Sequence, residues 1–287
     1  KGTRAGPVLR LQRYRGLLGV DLALGAHPQI TGLGEAVRLL QKPAPGETHR
    51  GPAQLRGELR HERLCTCGQV AAQCPVWGPM LDWLPAHDDE PLPVKLAYLL
   101  ETLRCSSPEG SWSSQWVVES FQDDFILPML EDPSVEVRVI HLTRDVRSWV
   151  HSRSRDGQKK GVWLPGLRPL LRWWRLSSRH ERLLQGSGKP VFRLGYEELA
   201  LDPEHALQRL CHWLGLEFRQ EMLQPLVYSR SHILSGNRMR FDSSKGRAIR
   251  YDGAWMSAPA GVAQLALSLP WLSKLNQRLV YSTLRQR

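Results

Sequence analysis

Val137-Arg138-Val139-Ile140-His141-Leu142-Thr143-Arg144-Asp145-Val146-Arg147-Ser148-Trp149-Val150-His151-Ser152-Arg153 reads as a strand, a turn and a helix. Val137, Val139, Ile140 and Leu142 supply an apolar, β-branched run of strand length. Arg144 falls at the strand's carboxyl edge. Ser148 and Ser152 lie four apart, on one side of the helix that follows. Free backbone N–H groups at a helix start, an arginine fork and hydroxyls together suit a phosphate dianion.

Outward from that stretch, strands alternate with helices. Residues 17–26 read as a helix stopped by His27-Pro28, because the residue before proline is pushed out of the α region. Residues 29–35 read as a short extended piece with glycine turns. The polar run 41–63, with Pro43, Pro45, Gly46, Gly51 and Pro52, reads as a loop passing into a charged helix, and 41–92 as an insert or loop region. An amphipathic helix is expected over 93–105, and a strand at Trp116–Ser120 with a short helix through Phe125, Ile126 and Leu130 after it. A long helix over 166–185 and a strand at 190–194 come next. Asp202 then caps a helix that has Pro203 at its first position and ends at Gly215. This order argues right-handed βαβ units and a parallel sheet, an α/β fold, in a length that suits one large domain or two small ones. Ligands of such sheets bind beyond the carboxyl ends of the strands, where Glu119, Arg144 and Tyr196 fall.

The chain has 287 residues, 41% of them hydrophobic, so a full core is expected. Its formal charge of +11 favours anionic partners: a phosphorylated cofactor, an acidic glycan, nucleic acid or a membrane surface. No apolar run reaches the length of a membrane span. Five cysteines, three of them clustered at Cys65, Cys67 and Cys74, do not make a secreted disulfide framework, so a reducing, cytoplasmic setting is expected.

Several segments, in order, resemble the sulfotransferase family that uses 3′-phosphoadenosine 5′-phosphosulfate (PAPS), in its bacterial form. Arg144 with Ser152 resembles the family's 3′-phosphate-binding pair. Leu194-Gly195-Tyr196-Glu197-Glu198-Leu199 with Asp202-Pro203-Glu204 is similar to its "YE-L--DPE" segment. His232 through Arg240 resembles its late "H-GN-MR" loop, with Asp252 and Trp255 following. Cys65-Thr66-Cys67-Gly68 through Cys74-Pro75-Val76-Trp77 is similar to a cysteine-bearing insert of some bacterial members. The resemblance covers about residues 17–257 and implies a three-layer P-loop-type parallel sheet flanked by helices, in a single domain spanning 1–287, and transfer of a sulfuryl group from PAPS, as co-substrate, to a hydroxyl or amine. No metal is expected for that chemistry, and no GxxxxGK[ST] run points instead to a kinase. The acceptor is expected to be a small molecule or a glycan, an anionic one being favoured by the charge. No nucleic-acid partner is expected, although a basic nucleic-acid-binding protein stays open as an alternative.

The residues expected to hold the nucleotide are Arg144, Ser152, Tyr196, Asn237 and Arg238. Glu35 is the candidate general base, since a glutamate in a similar "GE" setting serves tyrosylprotein sulfotransferases; a helix-start glutamate is the plainer alternative. Arg147 and Arg153 read as solvated helix charges, and His27 as a capping or packing residue. Trp173-Trp174 reads as core on one face, with the stems of Arg172 and Arg175 on the other. For the clustered cysteines a disulfide or free thiols is expected; the alternative is zinc with a histidine such as His61.

Two departures from the family stand out. Its opening apolar strand has no counterpart, and residues 1–16 read as an aberrant or truncated start. The 5′-phosphosulfate loop survives only as Gly2-Thr3-Arg4-Ala5-Gly6 or as Arg13-Tyr14-Arg15-Gly16-Leu17-Leu18, which lacks the hydroxyl pair. Gln122 stands where many members carry a lysine. A relic that binds 3′-phosphoadenosine nucleotides without turnover is therefore an alternative to an active enzyme.

Overall fold

The first regular element, β1 (Val8–Arg13), is one the sequence reading does not expect. Two arginines and a glutamine in six residues hide the apolar signal, and pairing decides the matter instead. β1 runs parallel to a later strand, with Val8 beside Val117 and Arg10 beside Glu119. A strand therefore stands where the family's opening strand is expected. The computed structural model describes residues 8–13, 18–47, 59–106, 115–120, 136–159, 163–235, 251–258 and 261–281. Gly2–Gly6, Gln122 and the helix read through Phe125, Ile126 and Leu130 lie outside them.

Two units are distinguished, residues 1–139 with 218–248, and 140–217 with 249–287. In the first, α1 (Leu18–Gly25) follows β1, and β2 (Ile30–Gly34) and α2 (Ala36–Leu40) follow in turn. Of the two candidate loops, only Arg13–Leu18 bridges β1 and α1. At the end of α1, His27 acts as a turn residue, its Nδ1 accepting from the Gln29 N–H at 3.1 Å. Next come α3 (Leu59–Glu62), α4 (Trp77–Trp83), α5 (Leu92–Cys105) and β3 (Trp116–Glu119). β2 and β1 both pair parallel with β3, which lies between them.

The core of this unit explains the spacing of α5. Leu92, Leu96, Leu99, Leu100 and Leu103 line one face and pack with Trp77, Met80 and Leu81 of α4, with Val37 and Leu40 of α2, and with Val117 of β3. Each such side chain, fully buried, contributes about 1.5–3 kcal/mol. Lys95 is buried on the same helix, its Nζ donating to the carbonyls of Leu40 (3.2 Å) and Asp88 (2.7 Å).

β4 (Val137–Thr143) carries the chain into the second unit, where α6 (Val146–Lys159), α7 (Leu167–Gly186), β5 (Val191–Gly195), α8 (Tyr196–Leu201), α9 (Pro203–Leu214) and α10 (Pro270–Val280) follow. β5 neighbours β4 in the sheet. The start and stop of α9 match the sequence reading: Asp202 accepts from the His205 N–H at 3.3 Å, and Gly215 ends the helix at φ 75°. Gly195 is obligatory for space, because a Cβ there would sit 1.9 Å from the Val280 carbonyl oxygen. The α/β class and the parallel sheet are as the sequence reading expects.

Candidate functional site

Arg144 follows the last residue of β4, and everything around it serves to aim it. Its Nε donates to Ser148 Oγ at 2.6 Å, one helical turn on. Its Nη2 pairs with Asp252 at 2.8 Å, and its guanidinium lies over the Tyr196 ring, 5.3 Å from the centroid. The backbone is held as well, since the Trp173 indole donates to the Arg144 carbonyl at 3.0 Å. Trp173 is accordingly fully buried, whereas Trp174 is exposed, so only the first of the pair is core and the sequence reading of both as core is corrected.

Asp145 forms the floor of this corner. It starts α6 as an N-cap, its Oδ1 accepting from the Arg147 N–H at 2.8 Å. Its carboxylate also takes the Arg147 fork (3.0 and 2.8 Å), the Asn276 amide (3.0 Å) and the Tyr281 hydroxyl (3.0 Å). Asn276 in turn accepts from the Val146 N–H at 2.9 Å. Burial alone would push Asp145 up; the Arg147 fork and the Asn276 amide outweigh it and hold the carboxyl below its usual range. Arg147 is therefore no solvated helix charge, contrary to the sequence reading. It is pinned by Asp145 and covered by Trp255, 4.3 Å from its ring centroid. Arg153 likewise packs over Trp149.

The other acids of this unit differ in state. Glu181 meets Arg193 at 3.1 Å, His141 at 3.5 Å and Arg278 at 3.7 Å. Burial opposes its charge, but the hydrogen bonds from His141 and Arg193 draw it down to about 2. Burial also lowers His141. Glu197 accepts from the Asp145 N–H at 2.9 Å, yet burial and the nearby Asp145 charge push it up to about 7. An unfolded glutamate titrates near 4.3. Between those values the folded chain holds a proton that the unfolded chain has lost, so this group's contribution to stability falls as pH rises. Glu197→Gln is expected to remove that decline and add on the order of 2 kcal/mol at pH 8, against little change at pH 4. Melting curves at the two pH values test this; parallel pH profiles for the two proteins would refute it.

Of the nucleotide residues read from sequence, the structure brings Arg144 and Tyr196 together and places Ser152, half-buried, two turns into α6. Asn237 and Arg238 lie outside the described residues. Glu35 belongs to the first unit. Gly34 before it takes φ 64°, and a Cβ at Gly34 would meet Ile233 at 2.6 Å and the Ser235 carbonyl at 2.8 Å, so only glycine gives this approach. The Glu35 N–H points to the Ser235 carbonyl (3.4 Å) and its carboxylate pairs with Arg38 at 3.3 Å, without capping α2. The helix-start role belongs instead to Glu119, which accepts from the Val37 N–H at 3.3 Å. Asp145 and Asn276 are the residues the sequence reading misses. An aspartate directly after a strand-end arginine carried the N-cap signal for the first; Asn276 carried none.

A model of the sulfotransferase family matches residues 20–220. Human carbohydrate sulfotransferase 6 is 26% identical over an alignment 165 residues long, which covers 49% of this chain and 41% of that protein. The chain thus spans about two fifths of the length of this relative. Two solved structures align over almost the whole chain. The sulfotransferase domain from the Synechococcus PCC 7002 olefin synthase is 17% identical, with a TM-score of 0.48 over 94% of this chain and 93% of that one. The sulfotransferase domain from the curacin biosynthetic pathway is 18% identical, with a TM-score of 0.47 over 96% of both.

Proposed function

Because this chain belongs to the sulfotransferase family, we propose that it moves a sulfuryl group from PAPS to a hydroxyl or amine acceptor, as one domain over 1–287. The Arg144 corner carries the proposal. A guanidinium held by Ser148 at Nε, backed by an aromatic ring and placed beyond a strand's carboxyl end, is suited to grip a 3′-phosphate. Ser152, on the same helix, would donate its hydroxyl to that phosphate, and Tyr196 would pack against the nucleotide. Asn237 and Arg238 are assigned to the same nucleotide on the sequence resemblance. PAPS supplies the activated sulfuryl group. The acceptor oxygen or nitrogen attacks sulfur as the bond to the phosphate oxygen breaks, releasing adenosine 3′,5′-bisphosphate, and Glu35 takes the acceptor's proton.

The acceptor class we favour is a carbohydrate. The human relative's name supports it, and so does the net charge of +11, which suits an anionic glycan. Transfer of radiolabel from PAPS to a panel of glycans, alcohols and amines tests both points, and release of adenosine bisphosphate with no labelled product from any acceptor would reject them. Glu35→Gln is expected to lower turnover by at least ~100-fold while calorimetric binding of adenosine 3′,5′-bisphosphate stays as it is. Turnover equal to the wild type would remove Glu35 from the mechanism.

One observation favours a second reading. The bridge from β1 to α1, Arg13-Tyr14-Arg15-Gly16-Leu17-Leu18, holds no serine or threonine for a 5′-phosphosulfate. A protein that binds the bisphosphate and never turns over PAPS would show in the same pair of assays.

A further inference from the structure

The first unit contains a second cluster that the sulfuryl chemistry does not use. Cys65, Cys67, Cys74 and His232 place one ligand atom each within 4.8 Å of all the others. Cys74 Sγ lies 3.8 Å from Cys67 Sγ, 3.8 Å from Cys65 Sγ and 3.3 Å from His232 Nδ1. We propose that these four residues bind one zinc ion in a closed, structural Cys₃His site.

The three distances from Cys74 are close to the edges of a coordination tetrahedron. Sulfurs about 2.3 Å from a central zinc stand about 3.8 Å apart, and a nitrogen about 2.0–2.1 Å from it stands about 3.5 Å from each sulfur. A disulfide needs sulfurs at about 2.0 Å, so none of these pairs is one. The first two cysteines sit on a tight hairpin. Leu64 bridges Val70, the Cys65 N–H donates to the Gln69 carbonyl at 2.9 Å, and Gly68 turns at φ 88°. Cys74 comes just ahead of α4.

The fourth ligand arrives from a distant segment whose position is set independently. The His232 N–H donates to the Gly32 carbonyl at 2.8 Å, and the Trp77 indole donates to the His232 carbonyl at 2.6 Å. Thr66 joins the same two segments, its hydroxyl bonding to the Ser231 carbonyl while accepting from the Ile233 N–H at 2.8 Å. With four protein ligands the site has no open position, which is the mark of a structural rather than a catalytic zinc. Cys65 and Cys74 are buried, Cys67 is exposed and His232 is half-buried, so the ion has a way in. Binding moves the thiol protons to solvent and leaves the imidazole neutral. The ion clips the 64–74 hairpin to residues 231–235, directly ahead of Gly236-Asn237-Arg238.

The test is elemental analysis of the full chain, purified under reducing conditions without chelator and without an affinity tag that binds metal. One zinc per chain is expected; zinc at background level after growth in zinc-supplemented medium would overturn the proposal. Cobalt(II) replacement should give the visible d–d bands and the near-ultraviolet sulfur charge-transfer band of a tetrahedral S₃N site. Spectra of octahedral cobalt would count against it. Cys74→Ser and His232→Ala should lose the metal, while Cys105→Ser and Cys211→Ser keep it. Should the first two variants fail to fold, X-ray absorption on the wild type decides, since three sulfurs and one nitrogen around zinc are required. A Cys67–Cys74 disulfide found by mass mapping of the freshly purified, unreduced protein would equally refute it.

Discussion

Arg144→Ala is expected to weaken binding of adenosine 3′,5′-bisphosphate by about a thousandfold, or roughly 4 kcal/mol. The size follows from how the side chain is held. Ser148, the Tyr196 ring and the anchored Arg144 backbone fix the fork before any phosphate arrives, so little side-chain entropy remains to be lost on binding. The guanidinium is also largely sheltered from water, with 13% of the side chain exposed, which strengthens a charge-assisted bond. Arg144→Lys should recover the charge but not the bidentate geometry, and should fall between the two. Asp252→Asn should tighten binding, because its carboxylate competes for Arg144 Nη2. Calorimetric titration of the four proteins, each shown to melt like the wild type, decides the issue. Equal affinity in Arg144→Ala would remove the corner from nucleotide binding.

The second large effect is on stability. Asp145→Ala is expected to cost about 4 kcal/mol and to lower Tm by about 10 °C, because it strands Arg147, Asn276 and Tyr281 around a buried site with no acceptor. Asp145→Asn keeps one acceptor oxygen and should lose less. The sign of the pH dependence is separately checkable. Asp145 is held below its ordinary value, so its stabilisation is complete above about pH 3.9 and is lost as pH falls through the lower, folded value. Acid melts of the wild type should therefore steepen at the bottom of the range, and those of Asp145→Ala should not. A Tm indistinguishable from the wild type would show that the network carries no net stability.

What could be read from sequence was local. The run from Val137 to Ser152 carries its own strand, turn and helix signals, so Arg144 was identifiable without knowing its neighbours. The cap at Asp202 and the stop at Gly215 are local too. β1 was not readable, because Arg10, Gln12 and Arg13 mask a strand that exists by pairing with β3. The Asp145 network was invisible because its partners stand 131 and 136 residues further on. The zinc cluster failed in the same way. Three cysteines suggested a histidine nearby, such as His61, whereas the one that approaches lies 158 residues beyond Cys74.

The reach of Asp145 to Tyr281 also orders events in time. On a ribosome adding roughly 5–20 residues per second, the 136 residues between them take about 7–27 seconds to make. At the start of that interval the nascent chain already contains Arg144 and Asp145 but not the amide and phenol that complete the floor. The aspartate must wait in water or with Arg147 alone. The second unit therefore cannot complete its buried network before residue 281 has been made.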